Sequence, residues 1–270
     1  MVALEKIHAW PAGVAAAAVI APDGVVARAG PADREFRWAS VTKLLTAAAV
    51  LVAAEEGVLD LEEAAGPPGS TVRHLLAHAS GLPFEGEQPI ARPGERRIYS
   101  NAGFDALGAL LGERAEMPFG EYLRAAVLGP LSLANTRLEE RPSQGLRGSL
   151  ADLAVFAGEL LAPRLVAAET LAEATSVAFP GLAGVLPGVG RQEPNDWGLG
   201  FELKDGKSPH WTGARNSPRT FGHFGGAGTF LWVDPEAAVA LACLTDREFG
   251  EWALEAWPAL ADAVLAELDS

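Results

Sequence analysis

The sequence predicts an α/β protein of the α+β kind, in which N- and C-terminal strands share one sheet and an all-helical lobe is inserted between them. Three observations carry this. Two apolar runs, at about 14–20 and 25–29, flank Pro22-Asp23-Gly24, as two strands flank a tight turn. The middle of the chain is helical in its apolar spacing and poor in strand-like runs. Short apolar runs return after position 196, and Glu251–Leu268 closes the chain with a helical pattern. The division expected is a sheet lobe of residues 1–60 and 195–270 and a helical lobe of residues 61–194, with the functional cleft between them.

Composition narrows the class. The 270 residues are 49% hydrophobic and 21% charged, an ordinary globular balance. A net charge of -14 argues against nucleic acid and against an anionic membrane face, since both would repel it. Cys243 is the single cysteine, so one chain holds no disulfide and no cysteine-based metal site, and a buried strand position is expected for it. The octet Val14–Ala21 resembles the apolar core of a signal peptide. Yet Glu5 and Pro11 precede it with only Lys6 as a lysine, and the turn follows at once, which favours a hairpin. No run reaches the ~18 apolar residues of a membrane span. A soluble, cytoplasmic protein is expected.

The elements then follow in order. Val41, Leu44, Leu45, Ala48, Leu51 and Val52 mark a core-packed helix that begins near Ser40 and ends near Gly57. Thr71–His78 reads as a short helix stopped by Ser80-Gly81-Leu82-Pro83. Asn101–Glu113 follows, then Phe119–Leu128, closed by Gly129-Pro130. Ser149 and Asp152 form a capping box opening Leu153–Leu161. Residues 176–196, rich in Pro and Gly, read as a long surface loop that either borders a cleft or is simply mobile. Strands are expected at Trp197–Leu203, Thr220–Phe224, Thr229–Val233 and Ala238–Thr245.

Three short motifs carry chemistry. Ser40 and Lys43 are three apart at a helix start, so the lysine reaches back to the serine hydroxyl. Burial and the positive helix end lower a lysine's pKa toward that of a base. Taken alone, the pair also reads as a solvated lysine on a capped helix. Tyr99 and Asn101 are two apart in an extended stretch and project together. A neighbouring ammonium lowers a tyrosine's pKa and makes it a proton shuttle, and Asn101 offers both a donor and an acceptor. Tyr-Ser-Asn is equally a helix cap. In Gly222–Gly228, glycines let a substrate carbonyl lie against an edge strand, where a backbone N–H joins that of Ser40 as an oxyanion hole. The plain alternative is a Gly-rich hairpin with a packed His223.

In order along the chain, Ser40-x-x-Lys43, Tyr99-x-Asn101 and His223-x-Gly225 resemble the serine β-lactamase and penicillin-binding-protein-like family, in its class C β-lactamase, D-aminopeptidase and esterase branch. The runs His74–Pro83, Trp197–Phe201 and Phe230–Pro235 support the likeness, which covers most of the chain. The resemblance implies an antiparallel sheet flanked by helices, with a helical lobe and the active site between them. It implies Ser40 as acylated nucleophile, Lys43 as its activator and Tyr99 as proton shuttle. Asn101 would orient Lys43 and the acyl group, His223 would replace the lysine of a Lys-Thr-Gly motif, and Gly226 N–H would complete the oxyanion hole.

Two departures shape the expected substrate. His223-Phe224-Gly225 lacks the Lys and Thr that contact a β-lactam carboxylate, because a histidine is mostly uncharged at neutral pH and Phe224 has no hydroxyl. Arg215 or Arg219 is a candidate replacement cation. The chain also has shorter loops around the cleft than typical members and no convincing export signal. The expectation is therefore a serine hydrolase of small esters or amides. β-Lactam or D-amino-acid peptide hydrolysis is the alternative, and a non-hydrolytic ligand sensor of the same fold a further one. No cofactor and no metal are expected, the partner is a small molecule, and oligomeric state is open. His74 and His78 lack the acid of a zinc motif, and Gly206-Lys207-Ser208 lacks the first glycine of a phosphate loop. The Gly222–Gly228 cluster precedes a strand, unlike a dinucleotide fingerprint, and no Gly-x-Ser-x-Gly elbow occurs.

Overall fold

Strands β1 (Ala15–Ala21) and β2 (Gly24–Ala29) pair across the expected turn in the computed structural model, which describes residues 1–269. Gly24 sits at φ 123°, a conformation open to glycine and strained for other residues. Before them, Val2–Ala9 forms a 3-10 helix that no sequence pattern announced. Strand β3 (Glu35–Arg37) joins a small sheet with β4 (Arg137–Leu138) and β5 (Leu146–Ser149), in the order β3-β5-β4. A hairpin of β6 (Gly184–Leu186) and β7 (Gly190–Gln192) stands apart. Strands β8 (Glu202–Leu203), β9 (Phe221–Gly225), β10 (Thr229–Asp234) and β11 (Val239–Thr245) complete a six-stranded sheet ordered β2-β1-β11-β10-β9-β8. Every neighbour in it is antiparallel. The two ends of the chain thus meet in one sheet, with Ala15 opposite Thr245.

Helix α1 (Thr42–Glu55) is buried on every side from Thr42 to Ala53, as an all-round apolar helix must be. Around it lie α2 (Val72–Leu76), α3 (Asn101–Arg114) and α4 (Phe119–Leu123), the last running into a π turn over Arg124–Leu128. Next come α5 (Leu150–Leu161), α6 (Ala168–Ala174) and α7 (Glu251–Leu268). The sheet alternates its side chains between two cores. Ala16, Ala18 and Ile20 face the core of α1 and α5, whereas Ala17, Val19, Leu241 and Cys243 face Trp257 and Leu260 of α7. Cys243 is fully buried, and burial pushes its thiol above the usual range. Helix α5 falls within the 61–194 segment but packs on β1, β10 and β11, because its apolar stripe matches the sheet face. Among the described residues no helix is long and apolar enough to cross a membrane.

Residues 176–196 differ from the loop expected of them. They contain the β6–β7 hairpin, and Leu186 is fully buried. Arg97 orders the segment from below. Its guanidinium, 2% exposed as a residue, donates to the carbonyls of Ala77, Ala178, Phe179 and Asn195 at 2.5–3.0 Å. Burial pulls this arginine down to about 10, against the opposing charge of Asp196. One side chain thus ties down the carbonyls that flank the hairpin, which keeps its own short ladder.

The strand expected at Trp197–Leu203 contracts to β8, where Glu202 pairs with Gly222. Glu202 is buried with Lys207 at 2.8 Å, His210 Nε2 at 2.8 Å and Trp211 Nε1 at 2.9 Å. Burial opposes its charge, but His210 and Lys207 prevail and hold the carboxyl down to about 2. Lys207 also donates to the carbonyls of Asp196, at 2.6 Å, and Leu203. Replacing Glu202 with Ala strands the Lys207 charge, so a loss of about 3–5 kcal/mol is expected in urea denaturation. A loss below about 1 kcal/mol would mean the pair contributes nothing net.

Candidate active site

Ser40 lies in a single 3-10 turn, Ala39–Val41, that feeds directly into α1. Ala39 has φ 46°, a left-handed conformation that costs a non-glycine residue about 1–2 kcal/mol. Strand β9 holds it there. A Cβ on Gly225 would lie 2.5 Å from the Trp38 carbonyl oxygen and 3.1 Å from Ala39 Cβ, so only a glycine lets strand and turn touch. Thr229 Oγ1 donates to the same Trp38 oxygen at 2.9 Å. The absent side chain of Gly225 therefore serves contact between two protein segments, where the sequence suggested room for a substrate carbonyl. Gly226 is different: space beyond its Cα is open, and it lines the cleft. Strand β9 is not an edge strand, but β8 covers only Phe221 and Gly222.

Lys43 is buried in the first turn of α1. Its Nζ lies 3.5 Å from Ser40 Oγ and donates to Asn101 Oδ1 at 2.6 Å and to the Ser143 carbonyl at 2.9 Å. Burial pulls its pKa down to about 7; Asp105 and Glu85 oppose the shift and Arg141 adds to it. These same groups form a chain of bonds. Asn101 Nδ2 donates to Glu85 at 2.9 Å, and Glu85 accepts from Arg141 at 2.8 Å. Arg141 Nε donates to Asp105 at 2.8 Å, and Asp105 accepts from the Ser143 N–H at 3.2 Å. The chain returns to Lys43 through Ser143.

Tyr99 and Asn101 flank the start of α3. Ser100 is the cap, accepting from Gly103 N–H at 2.9 Å and donating to the Pro83 carbonyl at 2.6 Å. Capping coexists with a convergence of Tyr99 and Asn101 on Lys43, but only Tyr99 lines the cleft, and Asn101 is buried behind it. The Tyr99 hydroxyl hydrogen-bonds with Ser40, and its ring packs 4.7 Å from Lys43 Nζ. Burial pushes the phenol above its ordinary range and outweighs the Ser40 hydrogen bond, so it is neutral. The lowering expected from a nearby ammonium does not appear, because burial dominates the phenol. His78, at φ 54°, accepts the Ser100 N–H on Nδ1 at 3.1 Å, and its ring lies 4.7 Å from that of Tyr99.

His223 Nδ1 donates to the Phe224 carbonyl at 2.6 Å. Burial first, then the Lys43 charge, lowers its pKa to about 3, so the ring is neutral. A cleft of about 360 Å³ opens above these groups. Ser40, Tyr99, His223 and Gly226 line it, with Phe84, Leu186, Trp197 and Phe249 as apolar wall. The β6–β7 turn fits closely there, since a Cβ on Gly188 would meet the Phe249 ring at 2.3 Å.

A family model described as Beta-lactamase matches residues 11–265. The chain belongs to the beta-lactamase family. A solved beta-lactamase from Mycobacterium bovis is 58% identical, with a TM-score of 0.97 over 98% of this chain and 99% of that one. EstCE1, a hydrolase with promiscuous acyltransferase activity, is 17% identical with a TM-score of 0.81, covering 98% of this chain and 96% of its own, which is a likeness of fold. Penicillin-binding protein 4* of Bacillus subtilis is 27% identical over 139 residues, 39% of this chain and 31% of that protein. The match therefore spans about a third of that relative's length.

In this beta-lactamase family chain the seven residues singled out by sequence gather around one cleft, although they do not play equal geometric parts. Ser40, Tyr99, His223 and Gly226 face it. Lys43 and Asn101 are buried behind Ser40, and Gly225 is a packing position. The two arginines considered as cations lie elsewhere. Arg215 stands at the end of α7, near Asp262 and Asp269, and Arg219 borders a separate hollow. His74 and His78 do not converge: His74 caps α2 through Thr71, and His78 serves Ser100. Sequence reasoning missed Ser143, which contacts Lys43 directly, and Glu85, Asp105 and Arg141, which reach it through Asn101 and Ser143. Arg37 and Gln144, also in the cleft, carried no motif.

Lys43 should titrate near 7 by NMR of ¹³C-labelled lysine, against about 10.4 for a free lysine. Glu85→Gln removes a charge that favours the ammonium, so the titration should move lower still. With the folded value depressed, the unfolded chain binds the extra proton between about 7 and about 10.4, and stability from this group rises with pH across that window. A Lys43 titration above about 9.5 would contradict the burial argument.

Proposed function

We propose that the chain is a serine hydrolase that forms an acyl-enzyme on Ser40, acting on small esters or amides. The observation that supports this best is the position of Ser40 Oγ, hydrogen-bonded with the Tyr99 hydroxyl and 3.5 Å from a lysine held near pKa 7. Neutral Lys43 takes the Ser40 proton as the hydroxyl attacks the carbonyl carbon. The N–H groups of Ser40 and Gly226 receive the developing oxyanion. Tyr99, a neutral phenol, gives its proton to the leaving group and is reprotonated from Lys43. Water then attacks the acyl carbon with the same groups reversed. Asn101 and the Ser143 carbonyl fix the direction of Nζ throughout. In this reading the sheet lobe of 1–60 and 195–270 and the helical lobe of 61–194 close on the cleft, with α5 given to the sheet.

Esters are favoured over β-lactams because His223 is neutral and the Phe224 ring packs with Phe249 and Trp257. Neither offers a fixed grip on a carboxylate on that strand. β-Lactam hydrolysis stands second, favoured by the 58% identical relative described as a beta-lactamase.

A fluorophosphonate probe read by intact mass should label the protein once, and Ser40→Ala should lose the label. A protein that stays unlabelled sinks the hydrolase reading and leaves the ligand-sensor one. Lys43→Ala and Tyr99→Phe should each lower p-nitrophenyl ester turnover by about 10²–10⁴. The rate should rise with pH through about 7 and level off above it, as Lys43 loses its proton. Chromogenic cephalosporin turnover faster than that of any ester would reverse the substrate order.

A further inference from the structure

The cleft holds one cation that nothing in the fold uses. Arg37 ends β3, three residues before Ser40, and lines the same cleft as Ser40 and Tyr99. It is exposed, and among the described residues it makes no ion pair and no side-chain hydrogen bond. Its neighbours behave otherwise. Arg137 and Arg147 both bind Glu35, and Arg141 binds Glu85 and Asp105. In a chain with 35 acidic residues against 21 basic ones, acids are in surplus, yet none is supplied to Arg37. Of the other charged groups in the cleft, Glu202 is occupied by Lys207 and His210, and Glu248 does not reach Arg37 as an ion pair. The wall between is apolar, which strengthens a charge-assisted hydrogen bond made there.

We propose that Arg37 is the anion-binding residue of this cleft, so that the substrate carries a carboxylate a few bonds from the carbonyl that Ser40 attacks. The proposal rests on the Ser40 hydrolase reading and names its substrate class. Three residues of chain span at most about 11 Å, so a short dicarboxylic acid monoester meets both Ser40 and the guanidinium. The cation stands on β3, whereas the strand motif that would hold a β-lactam carboxylate lies on β9, where His223 is neutral. A planar guanidinium takes a carboxylate by two parallel hydrogen bonds, so lysine is a poor substitute. The carboxylate belongs either to the acyl group or to the leaving group.

The experiment compares mono-p-nitrophenyl adipate with its methyl ester, and 4-butyryloxybenzoate with its methyl ester. The first pair places the carboxylate on the acyl side and the second on the leaving group. In one pair kcat/KM should favour the anion by about tenfold, mainly through KM, and rising salt should erode the preference. Arg37→Gln should abolish that ratio, Arg37→Lys should restore part of it, and Arg37→Glu should invert it. Equal kcat/KM for anion and neutral ester in both pairs overturns the proposal, as does a preference that survives Arg37→Gln. If no ester is turned over and the probe leaves Ser40 unlabelled, the hydrolase reading has failed instead. If esters are turned over with indifference to Arg37, only the anion site has failed.

Discussion

Burying an ammonium group is expensive, and the arrangement around Lys43 is the response on which the rest of the site depends. Its Nζ has lost water and receives in exchange the Asn101 oxygen, the Ser143 carbonyl and a long contact to Ser40. No carboxylate touches it. Asp105 and Glu85 act from one position further out, so their charge steadies the ammonium without fixing it. A direct carboxylate partner would have kept the proton in place. The uncharged oxygens leave the lysine near pKa 7, where it can give and take one.

This constraint reaches into the fold. Lys43 is buried because α1 is buried all round, and α1 is central because the sheet, α5 and the α2–α4 helices all pack against it. Asn101 is brought to Nζ by the cap of α3, and Ser143 by the chain that leads to β5. Ser40 is presented by a strained turn at Ala39, held where β9 passes without a side chain at Gly225. The strain is offset by the contact with β9, which also carries His223 and leads into Gly226. One approach of strand to turn therefore sets Ser40, the neutral ring and the Gly226 N–H in register.

Much of the architecture was legible because it follows from local patterns. The turn at Pro22-Asp23-Gly24, the apolar runs of β10 and β11 and the span of α7 are all written in near neighbours. Less was legible where distant groups replace local order. The β6–β7 hairpin has no periodicity of its own, and Arg97, far away in sequence, holds the carbonyls of Ala178, Phe179 and Asn195 that flank it. Trp197–Leu203 looked like a strand because buried loops and strands share apolar content; Trp197 is instead anchored through Asn195 and the rings around it. The ring of polar groups behind Lys43 was invisible for the same reason, since Glu85, Asp105, Arg141 and Ser143 belong to no spacing rule.

The sequence by itself determined which reactive groups the chain owns and their order. Ser40 and Lys43 lie one helical turn apart, and Tyr99 and Asn101 straddle a cap, so each pair is set by short-range geometry. It also determined that a histidine stands at position 223 and that Phe224 beside it carries no hydroxyl. Tertiary structure alone decided the protonation states. Burial depends on every element around a group, and it brings Lys43 down, lifts Tyr99 and holds His223 neutral. It alone decided which cation stands in the cleft, because Arg37, Arg215 and Arg219 are alike as letters and differ only in what the fold places beside them.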